Sequence, residues 1–149
     1  QKRVWRALFV GVALIGVIYP SWVVIATLMS EDHHHEPAYW EQVGALLPRD
    51  GRIIALTQDY GYPLQYYGWR KVSLWPTSGE QELAELRGKG KDFQKKFYSL
   101  VEEKDYFLIT AFRQFNGQPD LKEFLYDHYP IFSEGNGYLI FDLAHPIQP

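Results

Sequence analysis

The sequence predicts an α/β fold: a three-layer α/β/α sandwich with a mostly parallel sheet and an antiparallel terminal hairpin, behind one N-terminal transmembrane helix. Three observations predict it. The chain opens with an uncharged run of 22 residues, Ala7 to Leu28. Continuous apolar runs of strand length, at 52–57 and 106–110, are separated by stretches with helical spacing. Gly135-Asn136-Gly137 divides two final apolar runs, as a hairpin turn does.

As a helix the uncharged run measures about 33 Å at 1.5 Å per residue, enough for a hydrocarbon core of about 30 Å. Pro20 predicts a kink within it. A secretory signal would need a small-x-small cleavage site, which is missing. A buried soluble helix is the remaining alternative. Lys2, Arg3 and Arg6 precede the run, so the positive-inside bias places the N-terminus in the cytoplasm. The rest of the chain then lies outside the cytoplasm, at the cell membrane. Three segments follow: a transmembrane helix at 1–29, a juxtamembrane linker at 30–36 and an extracytoplasmic α/β domain at 37–149.

Within the domain, Glu36-Pro37 starts a helix whose Tyr39, Trp40, Val43, Leu46 and Leu47 share a face, and Pro48-Arg49-Asp50-Gly51 ends it. Arg52–Thr57 reads as a strand buried on both faces. A short strand is expected at Lys71–Trp75 before Pro76. Ser78-Gly79-Glu80-Gln81 has capping-box spacing, with Leu83 and Leu86 as the apolar edge of the helix that follows. Gly88-Lys89-Gly90-Lys91 reads as a turn. Phe93, Phe97, Leu100 and Val101 mark the next helix. After a buried strand at Tyr106–Thr110, Pro119 begins a helix with Leu121, Phe124, Leu125 and His128 on one face. The hairpin pairs Ile131-Phe132 with Tyr138–Phe141.

Composition narrows the function. The formal net charge of −3 divides into a cationic head and a body, residues 30 to 149, that carries 12 basic and all 18 acidic side chains, a local charge of −6. An acidic body without a basic face argues against nucleic-acid binding. The absence of cysteine excludes a disulfide scaffold, a Cys-ligated zinc site and a thiol nucleophile. With 25 aromatic residues and 46% hydrophobic content the chain is not disordered.

The densest feature is QDYGYPLQYYGWRKVSLWP, Gln58 to Pro76, directly after the first strand. Ligands of open α/β sheets bind at the carboxyl ends of strands, which recommends Asp59 and Tyr60. Tyr66, Tyr67 and Trp69 complete the set of ligand-binding candidates, because aromatic rings with polar tips suit sugar faces or lipid headgroups. Closure of the core by these same rings is the alternative. His33, His34 and His35 read as a solvated linker, since consecutive histidines of an extended chain cannot all face one ion. His128 reads as semi-buried, His145 carries no signal, and Glu102-Glu103 is solvated. There is no G-x-S-x-G elbow, P-loop or G-x-G-x-x-G fingerprint, so no residue is assigned a catalytic or metal-ligating role.

The uncharged helix followed by an α/β domain, with the strings IIALTQDYGYPLQYYGW, VSLWP, DYFLIT, QPDLKEFLYDHYP and GYLIFDL, resembles the C-terminal region of bacterial GT-C superfamily glycosyltransferases. These are related to the dolichyl-phosphate-mannose protein mannosyltransferases. The resemblance implies a multi-span enzyme that uses a polyprenyl-phosphate-linked sugar donor. Its catalytic acids, and often a divalent metal, belong to a loop after the first membrane helix. Gln1 in place of Met is in keeping with a chain that continues upstream. On this reading the fragment needs no cofactor of its own and is not itself catalytic. It assists acceptor binding or covers the active site, and its partners are the membrane, the rest of the transferase chain, and a polyprenyl-phosphate sugar or glycan acceptor. The alternative is an independent single-pass membrane protein whose α/β domain binds a protein partner.

Overall fold

A computed structural model describes residues 2–30, 36–88 and 92–147. The chain divides into two units, Gln1–His35 and Glu36–Pro149. The triple histidine and most of the Gly88–Lys91 turn lie outside the described residues.

The first unit is helix α1, Lys2–Ser30, which runs without a break through Pro20. Ser21 Oγ donates to the Val17 carbonyl oxygen at 2.8 Å, so the hydroxyl is satisfied within the helix. Trp5, Val12, Ile15, Val17, Ile18, Trp22 and Val24 are all exposed. Among the described residues no helix is long and apolar enough to cross a membrane. The uncharged run includes positions whose side chains lie outside that description.

The second unit is a mixed α/β domain. Helix α2, Glu36–Leu46, leads to strand β1, Ile53–Leu56, then a 3₁₀ turn, Asp59–Gly61, and helix α3, Tyr62–Tyr66. Strand β2, Val72–Leu74, is followed by helices α4, Ser78–Leu86, and α5, Phe93–Val101. Strand β3, Tyr106–Ile109, leads to helices α6, Phe112–Asn116, and α7, Pro119–His128, and the hairpin β4, Ile131–Gly135, with β5, Tyr138–Asp142. The strand order is β2-β1-β3-β5-β4. β1 is parallel to both β2 and β3, whereas β5 is antiparallel to β3 and β4. The sheet is therefore evenly mixed, and its hairpin is not an appendage: the last strand lies inside, against β3.

Alternating side chains feed two cores, as the two-residue period of a strand requires. Ile54, Leu56, Phe107, Ile109, Leu139 and Phe141 pack on one face under Phe97 of α5, Phe115 of α6 and Leu121, Phe124 and Leu125 of α7. Ile53, Ala55, Leu108 and Ile140 pack on the other under Trp40 and Val43 of α2 and Leu64 of α3. Helices thus cover both faces, giving three layers.

The thin α2–α3 layer is locked by two contacts. A Cβ on Gly44 would collide with the Gly68 carbonyl oxygen and come within 2.6 Å of Gly68 Cα, so the backbones meet where no side chain fits. Arg70 then donates from Nε to the Gly44 carbonyl at 2.7 Å and from Nη2 to the Leu47 carbonyl at 2.5 Å. A cation on the open carbonyls of a helix C-terminus satisfies them and opposes the helix dipole. Arg70→Ala is expected to lower stability by about 1.5–3 kcal/mol, as for other hydrogen bonds to charged groups, in urea denaturation.

Across the start of the sheet, Arg52 Nη2 and Asp105 Oδ1 are 3.0 Å apart and the Arg52 backbone N–H donates to Asp105 Oδ2 at 2.8 Å. The side-chain bond, then the backbone bond, holds the Asp105 carboxyl below its ordinary 3.8. A carboxyl depressed in the folded state stabilises fully above its unfolded value and loses that contribution as pH falls through the folded one. Asp105→Asn is therefore expected to lower Tm at neutral pH, and the deficit should vanish in strong acid. The effect is modest, because the Arg52 side chain is 54% exposed and screened.

Several expectations are corrected here. The capping box is Thr77 with Glu80, not Ser78 with Gln81: Glu80 N–H donates to Thr77 Oγ1 at 3.4 Å and Thr77 N–H to Glu80 Oε2 at 2.8 Å. Leu83 and Leu86 are 53% and 84% exposed, so α4 has no apolar edge on the core. It is held instead by polar contacts at its start. His128 is exposed, stacked on Phe124 at 4.1 Å between ring centroids.

Candidate functional site

The connections from β1 and β3 leave on opposite faces of the sheet. The chain after β1 buries Leu64 of α3 in the α2-side core, whereas the chain after β3 buries Phe115 of α6 in the other. These neighbouring strands thus form a topological switch point, where the loops part and leave a crevice at the carboxyl ends. Thr110 Oγ1 donates to Thr57 Oγ1 at 2.8 Å across that point. A cleft of about 1140 Å³ opens there, walled by the ends of β1 and β2 and by α4, α5 and α6.

The backbone at the cleft mouth is strained. Asp59, Tyr60 and Gly61 all have positive φ, at 49°, 53° and 72°. Gly61 is suited to it and Asp59 tolerates it better than the bulky Tyr60, and a Cβ on Gly61 would also come within 2.8 Å of Val72 Cγ2. The turn is closed by Gly61 N–H donating to the Gln58 carbonyl at 3.0 Å. Two consecutive non-glycine residues in this region each cost of order 1–3 kcal/mol, a cost that concentrates at ligand sites. Tyr60→Gly is expected to raise stability in urea by up to about 1 kcal/mol, the lower end of the penalty for a left-handed side chain. The same change should weaken whatever the cleft binds, since the ring is lost.

A closed amide network builds one wall. Gln118, buried, accepts at Oε1 from Trp75 Nε1 at 2.8 Å and from Gln81 Nε2 at 2.5 Å. Its own Nε2 donates to the Pro76 carbonyl at 3.3 Å. Ser78 Oγ donates to Gln114 Oε1 at 2.7 Å. Lys96 Nζ lies 5.7 Å from the Trp75 ring centroid, and burial lowers its pKa while Glu85 opposes the shift. Acids dominate the lining: Asp59, Glu80, Glu85, Asp92 and Asp120 stand against Lys95 and Lys96. Among the described residues no group of three or more His, Asp or Glu side chains could hold a metal ion.

The sequence-derived candidates separate. Asp59 and Tyr60 line the cleft. Tyr66, Tyr67 and Trp69 do not: Tyr67 packs on the α2-side core, and Tyr66 and Trp69 are exposed. After the left-handed turn the chain enters α3, whose Leu64 is buried in the α2-side core, so the later aromatics leave the cleft. The cleft residues that sequence reasoning missed, Gln81, Lys96 and Gln114, come from three helices distant in sequence. The one available signal was the polar character of Ser78 and Gln81 in a helix with little apolar surface.

Arranged this way, the cleft offers amide and carboxylate groups to hydroxyls beside the exposed Tyr60 ring, on an acidic floor unfavourable to phosphate. Compared with protein families, characterised proteins and solved structures, the chain finds no match in any of the three.

Proposed function

We propose that this chain is the membrane-anchored, extracytoplasmic C-terminal part of a GT-C-type glycosyltransferase, and that its cleft holds the glycan acceptor. The observation that carries this reading is the cleft at the switch point, lined by Tyr60, Asp59 and the amides of Gln81 and Gln114. Sugar hydroxyls donate to carboxylates, exchange hydrogen bonds with amides, and rest their apolar faces on aromatic rings. The excess of carboxylates favours a neutral acceptor over the polyprenyl-phosphate donor, which would bind in the preceding spans of the enzyme with the catalytic acids and any divalent metal. The helix α1 serves as the last span, with Lys2, Arg3 and Arg6 on the cytoplasmic side.

Titrating the full chain in lipid nanodiscs with neutral oligosaccharides and, separately, short polyprenyl-phosphate sugars tests this. Trp75 in the cleft wall should report saturable binding of the oligosaccharide, and Asp59→Asn with Gln114→Ala should abolish it. Unchanged fluorescence and amide shifts with every glycan would refute acceptor binding. A second reading, a single-pass protein with a protein partner, draws on edge strand β4, whose Ile131 and Phe132 are half-exposed.

A further inference from the structure

The surface of the α2–α3 layer carries a second feature, which begins at the mouth of the cleft with Tyr60 and runs away from it. Tyr62 and Tyr66, at helical spacing i, i+4, share one side of α3, and Tyr60 stands beside Tyr62 with ring centroids 6.3 Å apart. Trp69 follows, directly after the glycine that abuts α2. These rings are 67%, 73%, 67% and 83% exposed for Tyr62, Tyr66, Tyr60 and Trp69. Among the described residues, neither the three phenol oxygens nor Trp69 Nε1 has a hydrogen-bond partner, and no ring stacks on Trp69. Trp69 is also held at φ 52°, an unusual conformation for a bulky side chain.

Four exposed aromatics within positions 60–69, all with polar tips, have the composition of a membrane-interface belt, where the ring sits among acyl carbonyls and the N–H or O–H stays wet. Chain length supplies the second argument. Five residues, 31–35, separate the uncharged α1 from α2. At no more than about 3.6 Å per residue they span at most roughly 20 Å, so a domain tethered to a bilayer-crossing α1 begins no farther than that from the end of the helix. We infer that the Tyr60–Tyr62–Tyr66–Trp69 ridge rests in the lipid headgroup region. The inference draws on the anchored reading of α1. The ridge side chains are uncharged, and Asp59, Arg70 and Lys71 flank them with mixed sign, so recognition is by neutral, zwitterionic headgroups and is insensitive to salt.

The chain has no cysteine, so single labels are unambiguous. The full chain carrying Tyr66→Cys, Trp69→Cys, Leu86→Cys or Ile18→Cys, each spin-labelled, is reconstituted into phosphatidylcholine vesicles. Collisions with oxygen and with a water-soluble nickel chelate are then measured. Labels at 66 and 69 should lose nickel accessibility and gain oxygen accessibility relative to 86, equally at low and high salt. Labels at 66 and 69 as open to nickel as 86 would overturn the ridge, even with a lipid signal at 18. Labels shielded from both reagents would overturn it in favour of a protein partner. A water signal at 18 would remove the anchored reading of α1, while lipid signals at 66 and 69 would still uphold the ridge.

Discussion

Replacing Phe97 by alanine is expected to lower the unfolding free energy by about 3–5 kcal/mol, the usual cost of truncating a fully buried aromatic. Phe97 is wholly buried and sits at the hub of a ring cluster: 4.7 Å from Phe124, 5.7 Å from Trp75, 5.9 Å from Phe93 and Tyr129, and 6.4 Å from Phe107 between centroids. It belongs to α5 and touches rings from β3, α7 and the end of β2. Its removal thus leaves a cavity that no single neighbour can fill without dragging an element along. Urea unfolding followed by circular dichroism measures the loss. Trp75 fluorescence should shift with it even in the folded variant, because its packing partner is gone. A loss below about 1 kcal/mol would mean that the cluster relaxes freely, against the behaviour of close-packed cores.

The second large effect is expected at Gly44. Gly44→Ala places a methyl group against the backbone of Gly68, which cannot rotate away as a side chain can. Overpacking of this kind costs about 1–3 kcal/mol and occasionally more. Since Arg70 reaches the Gly44 carbonyl, separating the two backbones also stretches that bond. Double substitution with Arg70→Ala should therefore cost less than the sum of the single losses, the mark of coupled sites. Additive losses would show that the glycine contact and the arginine cap act independently.

Much of the fold was legible in the sequence for physical reasons that can be named. β1 and β3 are flanked by helices on both faces, so Ile53–Leu56 and Tyr106–Ile109 are continuously apolar and stand out. The helix of Phe97 and that of Leu121, Phe124 and Leu125 show their buried stripe. The misses are equally specific. At the start of α4 two adjacent capping residues, Thr77 and Ser78, precede Glu80 and Gln81, so the spacing rule fits either pair and only hydrogen-bond geometry decides. Helix α6 is five residues long, too short for any period. The left-handed run at Asp59 and Tyr60 stays hidden because a bulky residue such as Tyr60 rarely adopts it. That single turn is also why the aromatic stretch, read as one feature, proves to be two: Asp59 and Tyr60 at the cleft mouth, and a ridge that runs from Tyr60 away from it.

The position of β5 has a consequence for biogenesis. Because Tyr138–Asp142 lies between β3 and β4, the sheet is finished by an inward insertion of its last-made strand. Until the ribosome has passed Asp142, β3 presents a bare edge of unpaired amides beside Phe107, Leu108 and Ile109, the kind of template on which other chains aggregate. The domain therefore cannot acquire its native fold piecemeal as it is made. Truncation before Tyr138 should be far more damaging than truncation after Leu143.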